Sequence, residues 1–192
     1  MSAAGAALAV LLVVAGGLLF WAHSFVTTEV HTQLAEQQIS FPAKGSPGLI
    51  GNAEIQKYLT PYAGQQLTDG QQAEVFADHY IKVHLTEVAG GKTYSQISNE
   101  FLQMKPTDPN YQQVGQQRQT LFMGETLRGL LLNAYAFWKV GQIALYAGIA
   151  AFVGAALLLT LSALGFRHAR RVPEQADMFF HERPEGRVLV GS

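Results

Sequence analysis

The chain has 192 residues, 48% hydrophobic and only 14% charged, with a formal net charge of −1 and no cysteine. An ordinary soluble domain carries about 25% charged residues; here the deficit is concentrated, because residues 1–28 and 140–166 contain no Asp, Glu, Lys or Arg. The near-neutral balance gives no electrostatic case for a nucleic-acid partner, and the lack of cysteine excludes disulfides, thiolate metal sites, a cysteine nucleophile and a lipoprotein anchor.

Two apolar blocks in an otherwise polar chain predict two membrane segments rather than one enlarged soluble core. The first, from about Ala3 to Phe25, is long enough to cross a bilayer and carries Trp21 near one end, where an indole suits the membrane interface. A cleaved signal peptide is the competing reading, with Ala22-His23-Ser24 as a cleavage site. The missing basic n-region and the length of the apolar run favour an uncleaved anchor, residues 1–26.

Between the anchors, residues 27–137 read as a helical domain. The first helix continues through Leu34 to about Ile39 and breaks at Phe41-Pro42; the AKGSPG stretch around Pro47 reads as a loop. Asn52 suits the cap of a helix from Ala53 to about Leu59, which Pro61 ends. A longer helix is predicted from about Asp69 to Val88, with Phe76, Tyr80, Val83 and Thr86-Glu87 along one row and Ala77, Ile81, Leu85 and Val88 along the next, together an apolar stripe. Gly90-Gly91 stops it. Thr93, with Gln96 three residues later, has the spacing of a capping box for another helix that ends before Pro106.

Asp108-Pro109 is a start signal, and nothing beyond it must break the chain until past Phe166. One long helix is therefore predicted from about Pro109 into the second anchor, residues 138–166. Its outer part would rise on the order of 40 Å. Gly148, Ala151 and Ala155 sit at three- and four-residue spacing, which suits close helix packing or is simply the composition of a Gly/Ala-rich span.

Arg167, Arg170 and Arg171 follow at once. Basic flanks stay cytoplasmic, so the C-terminus is expected inside, the N-terminus inside with it, and residues 27–137 outside. In the tail, 167–192, Met178-Phe179-Phe180 is an apolar cluster among charges and a candidate partner-docking element.

The segments AEVFADHYIKVHLTEVAGGKTYSQI and RQTLFMGETLRGLLLNAYAFWKVGQIALYAGIAAFVGAALLL resemble a group of small actinobacterial membrane proteins with two membrane helices around a short helical outer domain. The likeness lies in the run from His84 to Tyr94 and in the Arg118–Arg128 stretch leading into the second anchor. Members are often labelled aromatic ring-opening dioxygenases. Such chemistry at a non-haem iron needs two His and one carboxylate around open metal positions. The middle region offers His31, His79 and His84, but five residues separate His79 from His84, about 140° around a helix. Glu87, three residues after His84, would complete only half a site.

Gly90-Gly91-Lys92-Thr93 looks superficially like a phosphate loop, but the upstream glycine and a βα unit are missing. His23 suits either an interfacial role or a proton relay, and Glu125 with Arg128 suits a local ion pair. The expectation is an all-α, membrane-anchored helical hairpin without cofactor or metal. It would act as a non-catalytic accessory or scaffold subunit bound to the lipid bilayer and to other subunits of a respiratory-chain or envelope-transport assembly. The alternatives are an envelope sensor or lipid/small-molecule-binding module, with a cavity near Phe76, Tyr80 and Phe122, and a metal-dependent oxygenase.

Overall fold

The computed structural model describes residues 2–169, and every element in that range is helical: α1 Ser2–Glu36, α2 Pro47–Ile50, α3 Ala53–Leu59, α4 Gly70–Phe76, α5 Lys82–Val88, α6 Tyr94–Gln103 and α7 Tyr111–Ala169. A 3₁₀ turn, Thr60–Tyr62, follows α3, and a π-helical turn, Ala77–Ile81, joins α4 to α5. An isolated antiparallel bridge pairs Ser40 with Gln66.

Both α1 and α7 are long and apolar enough to cross a membrane. In each, only 11% of the most apolar 18-residue stretch is buried. The core helix of a soluble protein would be mostly covered; these expose Leu11, Leu18, Ile143, Leu157 and Leu161 instead.

The chain divides into two compact units. In the first, built from the opening turns of α1 and the closing turns of α7, Ala9, Gly16, Ala155 and Ser162 are buried. Small side chains allow backbones to approach closely: a Cβ on Gly5 would lie 2.5 Å from Ser162 Oγ, and one on Gly16 about 3.1 Å from the Phe152 ring.

The second unit, Gly17–Gly148, holds the main hydrophobic core. Its most enclosed large side chains are Leu59, Leu67, Ile97 and Leu121. Val30 and Leu34 of α1 and Leu121 and Leu131 of α7 belong to the same cluster, so the short helices pack on the two long ones. Two glycines mark the closest approaches. A Cβ on Gly70, the first residue of α4, would sit 2.3 Å from Trp138 Cβ, and one on Gly124 would sit 2.4 Å from Leu85 Cδ2.

The local signals that end and begin these helices are side-chain caps. Asn52 Oδ1 accepts from the backbone N–H of Glu54 and Ile55 at the start of α3. Asp69 and Gln72 form a capping box on α4, and Thr93 and Gln96 form one on α6. These satisfy first-turn N–H groups that no intrahelical carbonyl can reach.

Four local expectations need correction. Helix α1 ends at Glu36, short of Ile39, because Gln38 takes a left-handed φ of 53° and sends the chain back along Gln65–Leu67, where Phe41 N–H meets Gln65 O and Leu67 N–H meets Ile39 O. The stretch after Lys44 is not all loop, since Pro47 in a first turn starts α2. The helix expected from Asp69 to Val88 carries an inserted π turn. Finally, α7 begins at Tyr111, because Pro109 lies in a turn in which Asp108 accepts from Asn110 N–H.

Candidate functional site

The π turn is the irregular point of the second unit, and the polar side chains of the region gather on it. Such turns are frequent at functional positions. Asp78, His79 and Tyr80 lie within it and Arg128 of α7 faces it. Arg128 donates to Asp78 Oδ1 at 2.7 Å and to Glu125 Oε2 at 3.2 Å, and its Nε is buried without an acceptor among the described residues. The bond to Asp78, joined by that to Glu125 and the two negative charges, pushes the Arg128 pKa above its ordinary value against the opposing effect of burial. The group is a fixed cation clamping α7 to the π turn.

His79 stacks on Tyr58 with ring centres 3.6 Å apart, and its Nδ1 lies 3.1 Å from Glu54 Oε1. Both partners are on α3, so His79 ties the π turn to that helix. His84 Nδ1 donates to the Tyr80 carbonyl at 2.8 Å, a backbone oxygen within reach of a side chain four residues on. Asn52 donates to Glu87 Oε1 at 3.0 Å, which joins the cap of α3 to α5. The His84/Glu87 pairing considered from sequence is thereby split: each side chain bonds elsewhere. Among the described residues, no group of three or more His, Asp or Glu side chains is placed to hold a metal ion.

The space near Phe76, expected from sequence to suit a ligand, is filled. Phe76 meets Phe41 edge-on at 5.3 Å and Tyr80 at 4.7 Å, and is itself buried, whereas Phe122 stands on the surface. A concave surface lies elsewhere, between the middle of α1 and α7. It is a groove of about 570 Å³ whose floor includes Val30, Leu34 and Leu131, with Leu127, Leu130 and Phe137 along one wall. Glu29, Gln33, Gln37 and Asn133 also line it. No sequence signal marks it, since its walls come from two helices far apart in the chain.

Of the residues singled out in the sequence, Gly148 and Ala155 are buried and Ala151 is half-buried. In the first unit α1 is the only other described element, so Ala155 packs on the chain's own first helix. Arg167 lies in the last turn of α7. Arg170, Arg171, Met178, Phe179 and Phe180 lie outside the described residues. His23 Nδ1 donates to the Gly141 carbonyl at 2.9 Å, a contact between α1 and α7. Comparison with known protein families, curated proteins and solved structures finds no match.

Proposed function

We propose that this chain is an integral membrane protein that serves as a non-catalytic scaffold or accessory subunit of a larger membrane assembly. Residues 1–26 and 138–166 cross the bilayer, both termini lie in the cytoplasm, and residues 27–137 stand on the outer side. The observation that carries this reading is how the polar groups are used. His79, His84, Asp78, Glu87 and Arg128 are tied into bonds that brace the helices and the π turn. The outer region also exposes apolar side chains that no described element covers, among them Phe122, Met123, Leu130 and Phe137. Such a domain presents faces for packing rather than groups for chemistry.

Extraction from its native membrane in a mild detergent tests this. Co-purification of a defined set of other membrane subunits is the expected result. A species containing this chain alone would overturn the reading.

A second reading, a module that binds a lipid or small apolar molecule, is supported by the groove, whose volume falls in the range of about 300–1,000 Å³ typical of ligand sites. A bulky Ala134→Trp replacement would then abolish retention of that molecule by the purified protein, as read by mass spectrometry.

A further inference from the structure

We infer, building on the ligand-binding reading and the proposed anchoring, that the α1/α7 groove takes one hydrocarbon chain of an outer-leaflet lipid whose headgroup bears no net negative charge. Where the groove begins, how wide it is and what charge lines it point to this occupant.

The groove starts where the proposed spans end. Its lining residues nearest the spans are Phe25 of α1 and Phe137 of α7, both more than half exposed. Phe25 stacks on Trp21 at 5.7 Å. Phe137 directly precedes Trp138 and Lys139, and the Lys139 ammonium lies 5.9 Å from the rings of Trp138 and Tyr135. Trp, Tyr and Lys at the end of an apolar span mark the level of the lipid headgroups. A chain can therefore leave the outer leaflet past Phe25 and Phe137 and lie on Val30, Leu34 and Leu131 without crossing water.

Its width suits a chain. From Phe25 to Gln37 the groove follows α1 for about 18 Å. A volume of about 570 Å³ over that length leaves a cross-section of about 32 Å². One extended hydrocarbon chain fits such a slot. A helix, about 10–12 Å across with its side chains, would rest on the rims instead of entering.

Charge selects the head. Glu29, about 6 Å above Phe25 along α1, is the one charged side chain in the described lining, and Gln33, Gln37 and Asn133 add neutral amides. Lys139 is not in that lining; its ammonium lies over Trp138 and Tyr135. An anionic head at the mouth would meet a carboxylate without a cation, whereas the ammonium of phosphatidylethanolamine is attracted to it.

The test uses purified full-length protein in phosphatidylethanolamine vesicles that carry a trace of the same lipid with a diazirine at the tip of one acyl chain. After illumination and digestion, mass spectrometry reads which residues hold lipid. A chain raised into the groove puts its tip against Leu34 or Leu127, whereas an ordinary bilayer chain puts it in the spans, near Val14 or Val153. Adducts at both places are expected. Adducts in the spans alone would overturn the inference, and none in the spans would refute the anchoring with it. Leu130→Glu sets a carboxylate in the path of the chain at a position 63% exposed, so the core is spared. It should cut groove adducts several-fold and leave span adducts unchanged. Leu102→Glu, on α6 and outside the groove lining, should change neither. Equal loss in both variants, or no loss in Leu130→Glu, would overturn the assignment. Phosphatidylglycerol with the same chains should label the groove less, and Glu29→Lys should reverse that preference; equal labelling by both lipids refutes the headgroup selection. A groove without adducts in a protein that retains another small molecule refutes the lipid chain and leaves the ligand-binding reading standing. A groove that neither labels nor retains anything refutes both.

Discussion

Three glycines differ in what surrounds them, and the difference sets the sign of the same substitution. At Gly129 nothing lies within 4 Å of an added Cβ. Alanine there removes the conformational cost of glycine inside α7 and should stabilise the protein by about 1 kcal/mol. At Gly124 the new methyl meets Leu85 Cδ2 at 2.4 Å and Cδ1 at 2.9 Å. These are the far atoms of a side chain that can shift, although Leu85 is itself buried. The helix gain and the packing strain oppose each other, and the net change should stay within about 1 kcal/mol of zero.

At Gly70 the methyl meets Trp138 Cγ at 2.5 Å and Cβ at 2.3 Å, and the Cβ moves only with the backbone of α7. Helix α4 must then lift off α7, at a cost of about 1–3 kcal/mol. The assay is thermal unfolding of the full-length protein in one detergent, followed by indole fluorescence, to which Trp138 contributes. Gly129→Ala should melt about 2–4 °C above wild type and Gly70→Ala clearly below it. A Gly70→Ala protein as stable as wild type, or a Gly129→Ala protein less stable, would refute the packing argument.

Other substitutions test other contacts. Asn52→Ala removes the cap of α3 and the bond to Glu87, and should cost about 1–2 kcal/mol in the same melt; Asn52→Asp keeps the cap acceptor but sets a carboxylate beside Glu87, and should fall between. Asp78→Asn should cost about 1 kcal/mol or less, since both members of the Arg128 pair keep some exposure. Because the pKa of Arg128 is raised, its contribution is fully present below the guanidinium range and is lost only as pH climbs through it. The gap between Asp78→Asn and wild type should accordingly stay constant from about pH 7 to about pH 10. Ala155→Leu puts a large side chain where α7 is buried in the first unit, and should lower resistance of the membrane-inserted protein to thermal aggregation.

What could be read from the sequence was what is local. The caps at Asn52 and Thr93 depend on residues two or three positions apart, and both form as spaced. The two long apolar helices follow from composition alone. The end of α1 was not legible, because Gln38 carries no glycine-like signal for its left-handed φ; the turn there is set by the tertiary pairing of Phe41 with Gln65 and of Leu67 with Ile39. The π turn was hidden for a related reason. The apolar spacing over 69–88 suits an uninterrupted helix, and the insertion shows only when Asp78 is seen reaching Arg128, far along the chain on α7. The groove needs the α1/α7 arrangement and the landing of Gly70 on Trp138 the packing of α4 on α7, which no window of sequence contains.

Two membrane crossings with the middle region outside underlie every role proposed for this chain. Single cysteines at Lys44 and at Ser192, in a chain with none of its own, give the most direct measurement, using a membrane-impermeant maleimide on intact cells. Lys44→Cys should label before lysis and Ser192→Cys only after it. Labelling of Ser192→Cys on intact cells, or protection of Lys44→Cys until lysis, would contradict the account.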